Sequence, residues 1–170
     1  MIEAPADHLP FLSESVERWH ALAVPVMHHG KVNWRGTVEE NTAIRVLPSD
    51  PKGPLVVITS AGFHSRSPDQ IPRIVDFLKG VQAVVDFYGE RDGNVRRDVF
   101  NGGFDKRDGF TVSLWRDDKS MKLAAYAAGE HRSRMDQSRD GSVFDFSSLT
   151  RARIVAAHGS WDGDPLARMT

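Results

Sequence analysis

The sequence contains no cysteine. This excludes disulfides, zinc–thiolate sites, iron–sulfur clusters and thiol nucleophiles. A metal ion would need histidine, methionine, tyrosine or carboxylate ligands instead. The absence is compatible with a reducing compartment, and we expect a cytoplasmic protein.

Long apolar runs and a strong net charge are also missing. No apolar run approaches the roughly 20 residues that cross a bilayer. The first residues, MIEAPADHLPF, have neither the basic start nor the apolar core of a signal peptide. The net charge of −1 gives no basic field for nucleic acid. We therefore expect a soluble protein with no transmembrane segment and no nucleic-acid partner.

Several common catalytic signatures do not occur. The chain has no G-x-x-x-x-G-K, no G-x-G-x-x-G after a strand, no H-E-x-x-H and no G-x-S-x-G. Charged pairs such as Asp117-Asp118 are more typical of helix caps than of acid–base dyads. Hydrolytic chemistry has no support in the sequence.

The remaining composition is that of an ordinary globular domain. The 170 residues are 40% hydrophobic and 26% charged, enough to bury a sizeable core. A proline-rich connector, PSDPKGP at residues 48–54, can continue neither helix nor sheet. It divides an N-terminal extension, residues 1–50, from a main unit, residues 51–170.

The main unit alternates strand and helix patterns. Two helices are predicted, from Pro68 to about Gly89 and from Asp117 or Asp118, as the cap, to about Gln137. The predicted strands are Leu55–Ser60, Asn94–Gly102, Gly109–Trp115 and Arg151–His158. The order β-α-β-β-α-β predicts an α+β, ferredoxin-like fold with both helices on one face of an antiparallel sheet.

The second face of that sheet also needs a cover. Alternation from Gly109 to Trp115 places Phe110, Val112 and Leu114 on one side and Thr111, Ser113 and Trp115 on the other. Since neither side is strongly polar, we expect a second sheet to pack there. Two such units face to face form a dimeric α+β barrel, which predicts a homodimer.

The extension contains an echo of the C-terminus. His29-Gly30 with Trp34 and Gly36 resembles His158-Gly159 with Trp161 and Gly163. The preceding segments also compare, because 12–18 is compatible with the end of a helix and Leu22–Met27 is an apolar strand pattern. The extension is then either the tail of a degenerate first repeat, packed on the main unit, or the likeness is coincidence.

The second helix carries a histidine on its apolar stripe. Met121, Ala124, Ala128, His131 and Met135 are spaced by 3 or 4 residues and share one face. A buried imidazole must satisfy two ring nitrogens, through a carbonyl, a carboxylate, water or a metal such as haem iron. Spacing alone favours a core histidine bonded to the backbone.

Three segments carry a resemblance to a known family. They are GPLVVITSAGF from residue 53, SLWRDDKSMKLAAYAAGEH from residue 113 and RARIVAAHGSWDGDPL from residue 151. Together they resemble the spheroidene monooxygenase family of carotenoid oxygenases, over residues 17–168 in outline. The chain departs from that family in holding the second ferredoxin-like unit with only the end of the first. The pair Trp115 and His131 is also similar to dimeric-barrel monooxygenases of antibiotic biosynthesis and haem degradation.

The resemblance implies a b-type haem between helix and sheet, with His131 as the axial ligand. Met121, Ala128 and Met135 would contact the cofactor, and Arg132 is the preferred partner for a propionate. Arg134, Lys122 and Arg73 are weaker alternatives, since each also fits a solvated basic surface.

Other residues are candidates with a structural alternative. Trp115 and Tyr126 are predicted to line a catalytic pocket, although such aromatics are more often core. His64, after the first strand, is predicted at the cavity mouth as a hydrogen-bond donor, or else in an exposed loop. His28 and His29 are adjacent strand residues on opposite faces, which disfavours one shared ion.

Three functions remain open at this point. The first is a haem monooxygenase that activates oxygen or peroxide and oxidises a small apolar, polyene or carotenoid-like substrate. The second is a cofactor-free barrel monooxygenase or isomerase that uses His131, Tyr126 or Trp115. The third is a non-catalytic carrier of haem or another hydrophobic ligand, or a subunit that completes a partner's barrel.

Overall fold

The protein is represented by a computed structural model that describes residues 16–32, 39–44, 52–65, 67–101, 108–126 and 144–163. In these ranges the strands are β1 (Trp19–Val32), β2 (Glu39–Ile44), β3 (Leu55–Gly62), β4 (Asn94–Asn101), β5 (Asp108–Trp115) and β6 (Phe146–Gly159). The helices are α1 (Ile71–Gly89), preceded by a 3₁₀ turn at Pro68–Gln70, and α2 (Asp118–Tyr126). None of these described helices is long and apolar enough to span a membrane.

The described strands form one antiparallel sheet in the order β2-β1-β6-β3-β5-β4. Its four strands β6-β3-β5-β4, with α1 and α2, are the predicted β-α-β-β-α-β unit. The ferredoxin-like prediction is therefore confirmed. The extension contributes β1, which pairs with β6 from Trp19 to Gly30.

The helix-facing core follows from strand alternation. Leu55 and Trp115 are register partners and are almost fully buried, together with Met121 and Ala124 of α2. Met121 and Ala124 are three residues apart and both face the sheet, which confirms the predicted inward stripe of α2 at these two positions. Asp117 caps this helix as predicted, with its Oδ1 accepting from the Ser120 N–H at 2.7 Å.

The opposite face is partly covered by the chain itself. Leu114 and Ile154 are buried there and pack against Val56, Trp19 and Trp161. The two indole rings contact each other, with centroids 5.8 Å apart. The two tryptophans therefore cover one end of this face, which needs no second sheet there. The strand pattern did not predict this cover.

Most predicted boundaries in the main unit agree with the structure, whereas the extension's strand, predicted at Leu22–Met27, spans Trp19–Val32 and β2 was not predicted. The last strand begins at Phe146, five residues before the predicted Arg151. Its early residues include Ser147 and Ser148, whose side chains have weak strand preference, and pairing with β1 and β3 overrides that preference. The predicted end of α2 near Gln137 and the possible helix over 12–18 fall in part or entirely outside the described ranges.

The two echoed glycines occupy equivalent positions in the β1–β6 pair. Gly30 has φ +100° and lies opposite Ser148, while Gly159 has φ +96° and lies opposite Trp19. A Cβ on Gly30 would collide with the Ser147 carbonyl, and one on Gly159 with the Arg18 carbonyl. The end of β1 and the end of β6 thus each need glycine where they approach the start of the other strand. This requirement gives a structural reason for the sequence similarity around Gly30 and Gly159.

A buried arginine ties α2 to the sheet. The Arg153 side chain is 4% exposed, donates to the Gly53 carbonyl at 2.9 Å and pairs with the Asp118 carboxylate. Arg151 also pairs with Asp118, at 3.5 Å. This ion-paired group fixes the first turn of α2 against β6.

Candidate functional site

Trp115 lies in the core. It is 1% exposed, its indole N–H donates to the Ser113 hydroxyl at 2.9 Å, and its ring meets Tyr88 edge-on at 5.2 Å. Burial raises the pKa of the Tyr88 phenol, so that group stays neutral. Met121, predicted as a cofactor contact, packs in this same cluster. The catalytic role assigned to Trp115 stays a prediction.

Tyr126 has a different environment. It is the last described residue of α2, and it is 68% exposed. Its side chain therefore does not pack with Trp115 in the core cluster. The structure does not bring these two predicted pocket residues together.

His64 marks the other end of the sheet, just beyond β3. Its backbone N–H donates to Asp145 Oδ2 at 2.6 Å, and its exposed ring lies 5.6 Å from the Phe146 ring. Since Leu55 at the start of β3 pairs with Trp115, the length of β3, roughly 23 Å, separates the two ends. His64 and Trp115 cannot contact the same small group.

Asp145 is the centre of the polar contacts at the His64 end. Both terminal nitrogens of Arg73 donate to its Oδ1 at 3.2 Å, and its own N–H donates to the Gly62 carbonyl at 2.9 Å. Partial burial acts to raise the Asp145 pKa, but the His64 N–H and the Arg73 guanidinium outweigh it and hold the pKa below 3.8. The carboxylate thus joins β3, α1 and β6.

Aromatic rings surround this polar centre. Phe63 and Phe77 meet edge-on at 5.4 Å, and Phe77 meets Phe144 at 5.6 Å. The Arg73 guanidinium lies over the Phe63 ring at 5.4 Å. We call these four phenylalanines, Phe63, Phe77, Phe144 and Phe146, with His64, Arg73 and Asp145, the aromatic end. It offers an apolar wall, one fixed anion and cation, and an exposed imidazole.

The aromatic end unites two sequence candidates with one residue that sequence reasoning missed. His64 and Arg73 were singled out separately, and Asp145 was not. The signal available was the alternation Phe144-Asp145-Phe146 ahead of the predicted last strand, which marks an early start of β6. A carboxylate between two phenylalanines at a strand end is a candidate partner for a nearby cation.

The other predicted cofactor residues, Ala128, His131, Arg132 and Met135, lie outside the described residues, as does Arg134. Lys122 is exposed on α2. Their roles stay predictions.

The adjacent histidines of β1 behave as their alternation predicts. His28 Nδ1 hydrogen bonds to Thr150 Oγ1 at 2.8 Å, whereas His29 is exposed. Within the described ranges, no three His, Asp or Glu side chains are grouped to hold a metal ion.

Comparison with known proteins adds evidence on the fold. No protein-family model matches the sequence, and no curated protein matches it significantly. A solved structure from Fusobacterium nucleatum, provisionally named a monooxygenase, is 9% identical with a TM-score of 0.51. That alignment covers 81% of this chain and 52% of the Fusobacterium chain. It supports the ferredoxin-like fold and, at this identity, the fold alone.

Two weaker likenesses concern proteins with related names. SnoaB, described as a cofactor-independent oxygenase from Streptomyces nogalater, is 10% identical over 65% of this chain and 95% of its own, with a TM-score of 0.41. A provisionally named antibiotic biosynthesis monooxygenase from Nitrosomonas europaea is 13% identical over 66% and 90%, with a TM-score of 0.42. Several similar structures therefore carry oxygenase names, while the spheroidene monooxygenase resemblance stays a prediction.

Proposed function

We propose that the protein is an oxygenase for a small apolar substrate, with a b-type haem held by His131. The observation that carries the proposal is the inward stripe of α2. Met121 and Ala124 both face the sheet and are buried. The sequence predicts that this helix continues to about Gln137, and His131 follows Ala124 by seven residues, a spacing of about two helical turns.

The described packing bears on where a cofactor would lie. Leu55, Trp115, Met121 and Ala124 form one buried cluster beneath the first turns of α2. We therefore place the cofactor toward the aromatic end, where the half-buried rings of Phe77 and Phe144 would contact an apolar macrocycle.

The chain's own side chains have distinct parts in this proposal. His131 would donate a ring nitrogen to iron, and a bound haem would supply activation of oxygen or peroxide. Arg73 is held by Asp145, so Arg132 remains the preferred propionate partner. His64, exposed at the aromatic end, would donate a hydrogen bond to a polar atom of the substrate. The phenylalanines would exclude water from the apolar substrate.

The names of similar structures agree with an oxygenase without specifying its cofactor. The Fusobacterium protein bears a monooxygenase name, and SnoaB is described as cofactor-independent. An oxygenase that works without haem is therefore the outcome to test against.

A haem titration tests the cofactor part of the proposal. The purified protein should develop a Soret band with one haem per chain. His131→Ala should lose or shift that band, while His29→Ala, which alters an exposed β1 histidine, should keep it. An absent band in the parent, or an unchanged band in His131→Ala, would overturn the assignment. Oxygen uptake with a polyene by the colourless protein would then favour the cofactor-free enzyme.

We also propose that the protein is a homodimer through the sheet face opposite the helices. Phe100 and Phe110 stack there at 5.2 Å and are 38% and 39% exposed. Light scattering should give twice 18.9 kDa. Phe110→Lys should shift the measured mass toward that of the monomer, whereas Leu123→Lys, on the exposed side of α2, should leave the mass unchanged. A wild-type monomer would refute the dimer.

A further inference from the structure

The turn after β6 holds a carboxylate from the other end of the sequence. The Ser160 hydroxyl and the Gly163 N–H both donate to Glu17 Oε1 at 2.7 Å. The Asp162 N–H donates to Glu17 Oε2 at 2.9 Å. Both carboxylate oxygens are thus bound by donors of one short segment, which we call the 160–163 turn.

The backbone of this turn is shaped to receive an anion. Asp162 has φ +53° and Gly163 has φ +73°, and their successive N–H groups donate to one carboxylate, each to a different oxygen. Such concave arrangements of amide hydrogens are general anion-binding sites in proteins. Hydrogen bonds from N–H and O–H groups to a charged acceptor are among the stronger ones. The turn therefore recognises a carboxylate by its own geometry.

A guanidinium lies beside the turn and reinforces it. Arg96 Nε donates to the Trp161 carbonyl at 3.1 Å, which fixes its charge close to the bound carboxylate. The hydrogen bonds from Ser160 and Gly163, with the Arg96 charge, outweigh desolvation and lower the pKa of Glu17. The Asp162 carboxylate, 3.9 Å from Arg96, opposes an incoming anion only weakly because it is largely exposed.

The resident carboxylate lies at the surface. Glu17 is exposed, and so are the hydrogen bonds that it accepts from Ser160 and Asp162. Arg96 also lines an open cavity of about 580 Å³ together with Asn94, Arg116 and Asp92, whose carboxylate pairs with Arg116.

We propose that the 160–163 turn is a binding site for carboxylate ligands and that Glu17 is its internal competitor. In this structure the side chain of Glu17 occupies the site and links the start of β1 to the end of β6. A carboxylic acid, or an acidic side chain of a partner protein, would bind by displacing it. None of the residues predicted to hold haem takes part, so the site is independent of the proposed function.

Removal of the competitor is the direct test. Acetate is titrated into ¹⁵N-labelled wild-type protein and the Glu17→Ala variant, and the amide shifts of Asp162 and Gly163 are followed. Glu17→Ala should bind acetate roughly tenfold or more tightly than the wild type, whose tethered carboxylate has a high effective concentration. Glu90→Ala, at an exposed glutamate after α1, should behave as the wild type. Acetamide, which has the shape without the charge, should not bind.

A second variant separates site geometry from a general charge effect. In the Glu17→Ala background, Ser160→Ala removes one donor and should weaken acetate binding roughly fivefold. An acidic tripeptide with blocked ends serves as the probe for a partner's side chain. Binding of acetate without binding of the tripeptide indicates a free acid, and binding of the tripeptide indicates the side chain of a protein partner. The proposal is overturned if neither binds, if Glu17→Ala and wild type bind acetate equally, or if acetamide binds as well as acetate.

Discussion

Arg73 and Asp145 join the first helix to the start of the last strand, with both terminal guanidinium nitrogens donating to one carboxylate oxygen at 3.2 Å. The two side chains are 28% and 24% exposed, so water screens the pair only in part. The same carboxylate holds the backbone N–H of His64. The position of His64 therefore depends on Asp145, which lies 81 residues further along the chain.

Arg73→Gln should lower the free energy of unfolding by about 1 kcal/mol near neutral pH, because it removes the cation that pairs with Asp145. The pKa of Asp145 is lower in the folded protein than its ordinary value of 3.8. Its stabilising effect is therefore fully present above about pH 4 and is lost as the pH falls through the folded pKa. Urea denaturation at neutral and acid pH measures the difference.

The matched control is Lys79→Gln, at an exposed position of the same helix. It should change stability little at either pH. A loss of stability in Arg73→Gln that is the same at neutral and strongly acid pH would show that the ion pair is not its cause.

Asp118→Ala should destabilise the protein by roughly 2–4 kcal/mol, because it leaves the buried Arg153 guanidinium without its carboxylate. Asp92→Ala removes the partner of Arg116 from a surface pair in which Asp92 is 96% exposed, and it should cost less than about 1 kcal/mol. Chemical denaturation of both variants provides the comparison. Equal decreases in the free energy of unfolding would mean that the burial of Arg153 does not determine how much its ion pair stabilises the protein.

Gly159→Ala should cost about 2 kcal/mol or more, since it combines a positive φ with a collision between the new Cβ and the Arg18 carbonyl. Gly163→Ala also has a positive φ but meets no atom within 4 Å, so about 1 kcal/mol is expected. The two melting temperatures separate conformational strain from collision. If Gly163→Ala proved as costly, the close approach of β1 and β6 at Gly159 would not matter.

Trp115→Phe should destabilise the fold by about 1–3 kcal/mol, because it shrinks a buried ring and leaves the Ser113 hydroxyl without its indole donor. With the ring contact to Tyr88 retained, the variant should stay folded and keep the haem affinity of the parent. Denaturation and haem titration of the same sample measure both quantities. A folded variant with a lost Soret band would instead support the predicted role of Trp115 as a site residue.

The sequence by itself determined the elements of the β-α-β-β-α-β unit and their order, but not β2 (Glu39–Ile44). Valine and isoleucine in Leu55–Ser60, the spacing of apolar residues from Ile71 and the alternation around Trp115 are local patterns, and each matches an observed element. The inward stripe of α2 was predictable for the same reason, since Met121 and Ala124 obey the helical period. Local periodicity is enough for such features.

Only the tertiary structure decided which distant side chains meet. Asp145 finds Arg73 and His64 because sheet pairing brings the start of β6 beside the end of β3, and no local pattern encodes that contact. The same holds for Glu17 in the 160–163 turn, which depends on β1 running antiparallel to β6 over its whole pairing. Periodicity fixes which face a residue takes, whereas strand order and register fix its partners.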